Sequence, residues 1–540
     1  ITARGAWESA KRHLREIGRE IDRGAPVTVI GIGDMSGDVF GNGMLLSDNL
    51  KLIAAFDHRH IFIDPDPDPK ASFAERKRLF EKPASSWADY DEKIISHGGG
   101  VFRRGQKNIL LTPEARCAIG CDASELDADS LVQAILRAGA DLLYNGGIGT
   151  YVRATGESDA EVGDHANDNV RVAGAELRCK VVVEGGNLGL TQRGRIEFAL
   201  NGGRINNDAI DNSAGVDMSD HEVNLKILLA PLVARGDLTS VERNRRLSAA
   251  AAEVIEDVLH DNRDQVLSLS LEQLRSRISV TAFRDHLTML EQSGVVRRAE
   301  AILPAHEELR DRRARFAGLT RPELAMLTAY TKIDLTARLE RTALVNDGYL
   351  ADRFLVPYFP RSIATAFPAA ISQHSLRREI VATRIVNERV DLMGSVFVFN
   401  LVRDHGIEAE EALRVWLIAS GVLELSRRAA ELKANAAGLT AEAELGAFLG
   451  LERAARRACN WAIAHANPSE ALGVTVSRFA PELQKLASQF ETVLAGGERE
   501  RFERTYRELR SAVHEEQLAL ELARLAFADH LLNILSLALE

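Results

Sequence analysis

Cysteine is scarce in this sequence, four residues in 540: Cys117, Cys121, Cys179 and Cys459. That number excludes a disulfide framework and fits a reducing, cytoplasmic setting. Cys117 and Cys121 stand four apart, but no second ligand pair follows at zinc-finger spacing, so no metal site is expected. An excess of basic charge is also missing. The 67 Lys and Arg against 78 Asp and Glu give 67 − 78 = −11, which argues against a general nucleic-acid binder and gives no reason to expect an anionic membrane surface as partner. No uninterrupted apolar run reaches the length of a bilayer span. The opening "ITARGAWESAKRHLREI" has no apolar core and no small-residue cleavage site, so it does not read as a secretory signal. What remains is a length suited to two to four domains with ample core.

Trp7, Ala10, Leu14, Ile17 and Ile21 recur at helical spacing, and Gly24 and Pro26 are expected to end that helix. "VTVIGIGD" then reads as a buried strand. Glycines follow in "VIGIGDMSGDVFGNGML". A helical stretch from Gly37 and a second buried strand, "LKLIAAFD", close on Asp57. Strand, glycine turn, helix, strand and acid, in that order, fit a dinucleotide site. Gly31 is expected to allow a tight turn and Gly33 a close approach to a pyrophosphate. The helix N-terminus would offer N–H groups to the phosphates, and Asp57 would accept from the adenosine ribose. The third glycine of the usual fingerprint is replaced, the run being Gly31-Ile32-Gly33-Asp34-Met35-Ser36. A carboxylate at Asp57 repels a 2′-phosphate and so favours NAD, although His58, Arg59 and His60 follow directly. The alternative is a structural glycine loop.

From Asp64 to about Ser130 the sequence reads as an irregular excursion with short strands, and Pro65, Pro67 and Pro69 are expected to exclude regular structure. "LVQAILRAGADLLYNGGIGT" reads as helix, strand and a loop at Asn145-Gly146-Gly147. "LRCKVVVEGGNLGLT" is another buried strand, ending in Glu184-Gly185-Gly186-Asn187. A third loop, "INNDAIDNSAGVDMSDHEVN", holds Asn212 and Ser219. In an open parallel sheet such loops at strand carboxyl ends line the ligand crevice; ordinary turn chemistry is the alternative for any one of them. From about 225 the chain turns rich in Ala, Leu, Arg and Glu and reads as a helical bundle. Pro322 opens one helix. The basic residues of "LRREIVATRIVNERV" are expected on a solvated or subunit-facing side. A final helix carries Leu518, Leu522, Leu525, Leu532, Leu535 and Leu539 on one face. The fold class expected is thus an α/β Rossmann-type doubly wound domain followed by a large, mainly α-helical domain.

The stretches "GIGDMSGDVFGNGM", "AAFDHRHIFIDPDPDP" and "VVVEGGNLGLTQRGRIEFAL…INNDAIDNSAG" together resemble the large bacterial NAD-specific glutamate dehydrogenases. The resemblance covers the whole chain and is strongest from Pro26 to Asn224. It implies a connecting helix over 1–25, an NAD-binding domain over 26–224 and a helical C-terminal domain over 225–540. It implies that Gly31, Gly33, Asp34, Met35 and Ser36 bracket the pyrophosphate, that Asp57 holds the ribose, and that Asn145, Gly146 and Gly147 lie along NAD. Asn187 and Asn212 would sit near the nicotinamide, and Ser219, Thr2 and Arg4 would meet substrate. The smaller hexameric enzymes share the plan, with Ala where this chain has Gly186. The chemistry implied is oxidative deamination of L-glutamate to 2-oxoglutarate and ammonia by a cytoplasmic homo-oligomer. It needs a lysine of lowered pKa and an acid–base aspartate, both expected upstream of Ile1. No catalytic residue is therefore assigned within this chain. Another amino-acid dehydrogenase and a non-catalytic NAD-sensing or oligomerisation module are the competing assignments.

Overall fold

The computed structural model describes residues 1–22, 24–34, 38–513 and 515–539. They form two compact units. The first is made of 1–224 with 247–269 and 297–326, the second of 225–246, 270–296 and 327–540.

A six-stranded mixed sheet organises the first unit. Its strands are β1 (Val27–Ile32), β2 (Leu50–Phe56), β3 (His60–Ile63), β4 (Gly100–Arg103), β5 (Leu142–Asn145) and β6 (Val181–Glu184). The spatial order is β6-β5-β1-β2-β3-β4. The four strands from β6 to β2 run parallel, and β3 and β4 add antiparallel at one edge. The parallel strands are apolar on both faces because both faces are covered. On one face Ile30, Ile32, Leu143 and Val182 join Leu131 and Ile135 of α4 (Ala128–Leu136) and Phe198 of α5 (Gln192–Leu200). On the other, Val29, Leu142, Tyr144, Val181 and Val183 meet Ala6, Ala10 and Leu14 of α1 (Thr2–Glu16), Met44 of α2 (Asp38–Met44) and Leu79 of α3 (Pro69–Glu81). Successive side chains along each strand thus feed opposite cores.

Some expectations are corrected here. Helix α1 ends at Glu16 rather than near Gly24, because Gly18 turns the chain out with φ 76°. The proline run does not exclude regular structure. Asp68 accepts from the Ala71 N–H, and Pro69 opens α3 at the one position where a missing N–H costs nothing.

The second unit is helical. Helices Ala409–Val422, Ala441–His465, Leu472–Val493 and Ala528–Leu539 pack on one another, and Trp416, Phe448 and Leu532 are fully buried. The last helix expected from the leucine pattern is two helices, Glu516–Leu525 and Ala528–Leu539. In the helix Arg377–Met393 the basic face is not wholly solvated. Arg389 is fully buried, and its Nη1 donates to the Gly394 carbonyl at 2.7 Å. No helix among the described residues is long and apolar enough to cross a membrane.

Candidate functional site

The carboxyl ends of β1, β5 and β6 carry the three glycine loops, and backbone hydrogen bonds stitch them together. The Gly146 N–H donates to the Ile32 carbonyl at 2.8 Å, and the Gly185 and Gly186 N–H groups donate to the Asn145 carbonyl at 2.8 and 3.1 Å. Gly31 lies inside β1, paired with Ala55 and Tyr144, so it does not make the turn. Gly33 does. Its φ of 136° is one that side chains rarely adopt, and its N–H donates to the Phe56 carbonyl at 2.8 Å. The Gly33 carbonyl accepts from Trp87 Nε1 at 3.1 Å. A Cβ on Gly147 would come within 3.3 Å of the Gly33 Cα, and one on Gly186 within 2.5 Å of the Gly147 carbonyl. The three loops therefore present a low rim of backbone. A flat ligand can approach it closely. Ile148 and Leu188 stand exposed on the same loops, apolar side chains that the sequence reading did not single out.

Asp57 follows β2 and is 7 % exposed. One carboxylate oxygen is occupied: Oδ1 accepts from the Arg59 and His60 N–H groups at 2.7 and 2.6 Å, an Asx turn that fixes the hairpin into β3. The other, Oδ2, is buried with no hydrogen-bond partner. A buried oxygen of this kind is costly unless something donates to it, which suits the hydroxyl of a ribose. Asp34, Asp57 and His58 bring ligand atoms within 4.8 Å of one another, the one such group among the described residues. Met35 and Ser36 lie outside the described residues.

Asn145 is fully buried at the end of β5. Its Oδ1 accepts from the Gly147 N–H at 3.3 Å, while Nδ2 has no partner. Asn212 Nδ2 donates to Asn187 Oδ1, so the loop after β6 meets the start of the helix Ser213–Ala234 through the two amides expected near one ring. Thr2 joins this region, since a Cβ on Gly215 would overlap its hydroxyl. Arg4 lies 3.9 Å from Glu256 and is half exposed. Ser219 is exposed on the helix Ser213–Ala234, two turns beyond Asn212.

Sequence reasoning quoted Glu184 without giving it a role. It is fully buried, and both its oxygens accept from Arg195, Oε2 at 2.6 Å from Nε and Oε1 at 3.0 Å from Nη2. Oε1 also accepts from the Leu190 N–H at 3.1 Å. Burial opposes the Arg195 charge, but Glu184 and Asp208 outweigh it and hold the guanidinium protonated. Asp208 in turn accepts from the Leu188 N–H at 2.8 Å, which ties down the far end of the loop. Asp211 is fully buried and accepts from the Glu184 N–H at 2.9 Å and from Asn206 Nδ2 at 2.7 Å. Burial pushes its carboxyl up to about 7, against those hydrogen bonds. The signal for this scaffold was present as polar residues inside buried runs, but their partners lie 11 to 27 residues away.

Residues 1–272 match the family described as bacterial NAD-glutamate dehydrogenase, catalytic domain, and residues 317–540 match glutamate dehydrogenase, C-terminal. The chain is 44 % identical over 523 residues to the NAD-specific glutamate dehydrogenase of Halomonas elongata, covering 97 % of this chain and 32 % of that protein. It is 44 % identical to those of Mycobacterium tuberculosis and Pseudomonas aeruginosa, over 99 % of this chain and 33 % of each relative. The chain thus spans about a third of the length of the curated relatives it matches. With both matches together reaching from its first residues to its last, the chain belongs to the bacterial NAD-glutamate dehydrogenase family.

Proposed function

We propose that residues 26–224 form a Rossmann-type doubly wound NAD-binding domain, entered through a connecting helix within 1–25 and followed by a helical domain over 225–540. Its role is the NAD-dependent oxidative deamination of L-glutamate to 2-oxoglutarate and ammonia, for which the chain supplies the cofactor domain and one wall of the substrate cleft. The observation that carries this reading is the buried, unpartnered Oδ2 of Asp57 beside the Gly33 turn. Helices on both faces of the four parallel strands support the doubly wound assignment. The printed names of the relatives support the substrate and the cofactor.

NAD held here would supply the hydride acceptor for the Cα of the amino acid. Asp57 Oδ2 would accept from the adenosine ribose, and its charge would repel a 2′-phosphate. Gly33, Asp34, Met35 and Ser36 would cradle the pyrophosphate. Gly146 and Gly147 would let the cofactor lie against backbone. Asn187 and Asn212, already hydrogen-bonded to each other, would fix the carboxamide and so select a ring face. Thr2, Arg4 and Ser219 are the residues assigned to the substrate side. The proposed assembly is a cytoplasmic homo-oligomer, an assignment that rests on the family; the four free cysteines fit the compartment.

Calorimetric titration of the full chain with NADH and, in parallel, NADPH tests the reading. Saturable binding that favours NADH is expected. Equal affinity for the two, or no binding by a folded sample, overturns it.

A further inference from the structure

A pocket of about 500 Å³ opens on the first unit at the amino ends of β5 and β6, the edge of the sheet away from the three glycine loops. Ile17, Leu177, Cys179 and Phe198 contribute apolar lining, and four cations stand among them: Arg19, Arg178, Lys180 and Arg204. In a chain of net charge −11 this concentration of positive charge stands out. The carboxylates beside it do not balance it. Lys180 and Arg19 share one partner, Asp141, at 2.8 and 3.5 Å. Arg204 and Arg12 share Glu16, and Arg321 reaches the same carboxylate at 3.9 Å. Arg178 donates to the carbonyls of Arg137 and Gly120, neutral groups that leave its charge uncompensated. Asp141 thus serves two of the four lining cations, and Arg178 meets carbonyls.

Arginines at helix C-termini serve as caps in many proteins, and Arg178 does cap two helix ends, at Arg137 and Gly120. Capping does not require four cations around one cavity with two more behind it. The interior registers the same field. His13, fully buried behind this wall, is held well below the ordinary imidazole range, first by burial and then by Arg321, Arg204 and Arg12. Tight turns at the rim already use several of the backbone N–H groups there. Gly202 and Gly203 N–H groups donate to the Ala199 and Phe198 carbonyls, and Gly18 and Arg19 N–H groups to the Arg15 and Leu14 carbonyls. Cationic side chains are thus the available donors.

We infer that this pocket binds a compact anion carrying two or more negative charges, held by Arg178, Lys180, Arg19 and Arg204 through carboxylate or phosphate oxygens. Arginine forks match either group bidentately. The site is separate from the cofactor crevice and does not depend on the function proposed for it.

The probes are citrate and pyrophosphate, titrated calorimetrically into the full chain at low and at moderate salt. Saturable binding that weakens with salt is expected. Replacing two donors in Arg178→Gln/Lys180→Gln should weaken it at least about tenfold, the scale of charge-assisted hydrogen bonds. Asn201→Phe, which narrows the pocket without changing charge, should weaken it similarly and covers the case in which the double variant misfolds. A control of equal charge change far away in sequence, Arg243→Gln/Arg403→Gln, should leave binding within twofold. Preference for citrate or for pyrophosphate names the source of the anion, and either supports the site. Absence of binding overturns the inference. So does binding that survives both pocket variants, which would move the anion to the glycine turn.

Discussion

Replacing Asp57 by asparagine separates two jobs held by one side chain. Oδ1 holds the β2–β3 turn through two N–H groups at 2.7 and 2.6 Å, and Oδ2 is the buried oxygen left for a ligand. In Asp57→Asn the amide oxygen can keep both turn contacts while the NH2 takes the place of Oδ2. Stability should therefore change by less than about 1 kcal/mol, since both turn hydrogen bonds are kept. Cofactor affinity should not survive as well. A hydroxyl that donates to a carboxylate contributes about 1.5–3 kcal/mol, so NADH should bind roughly 10–150-fold more weakly. NADPH should lose less, because the repulsion between the carboxylate and its 2′-phosphate disappears, and the ratio of the two dissociation constants should fall. Asp57→Ala removes the turn acceptor as well and should cost about 2 kcal/mol more in stability. Calorimetric titration with both cofactors, beside urea unfolding, reads all of these. An Asp57→Asn chain that binds NADH within threefold of the original, at an unchanged NADH to NADPH ratio, would refute the reasoning.

Three further outcomes follow from the scaffold. Asp211 titrates near 7 when folded and near 4 when unfolded. A raised folded value means its contribution is full below about pH 4 and is lost as pH rises through 7, by about 4 kcal/mol. Urea unfolding of Asp211→Asn should accordingly be flatter between pH 4 and 7 than that of the original chain, and parallel curves would contradict the assignment. Arg195→Met strands the Glu184 carboxylate in the core and should cost about 3–5 kcal/mol, with much of the loss recovered in Arg195→Met/Glu184→Leu; thermal unfolding of the original chain and the two variants decides. Gly186→Ala, which installs the residue of the smaller enzymes, drives a Cβ to 2.5 Å from the Gly147 carbonyl. It should cost about 1–3 kcal/mol and weaken NADH binding, and an unchanged melting temperature would show that the loop yields freely.

The parallel part of the sheet was legible because its strands are short runs buried on both faces, as in "VTVIGI" and "VVVE". Asp57 and the amide loops were legible for the same reason, since each ends such a run. The edge was not. "HIFI" begins three residues after β2 closes, and no strand was read there; the Asx turn at Asp57 folds it back onto β2. The proline run misled because Asp68 caps a helix that Pro69 begins. The leucines of the last stretch keep one periodicity through a break at Ala526 and Phe527. Buried charge was the least readable of all. Nothing local to Glu184 announces Arg195, and nothing local to Arg389 announces that it folds inward onto Gly394.

Trp87 lends the turn an optical readout. It is fully buried, stacks on Phe62 at 4.7 Å and donates to the very carbonyl that leads into the glycine turn. Of four tryptophans in the chain, it alone is wired to Gly33. A ligand that shifts this turn must alter the indole hydrogen bond, and with it the emission of a ring otherwise shielded from water. Trp7→Phe, Trp416→Phe and Trp461→Phe together would leave a protein with one lamp, set where the loop meets the sheet, and stopped-flow fluorescence would then time events at a single backbone carbonyl.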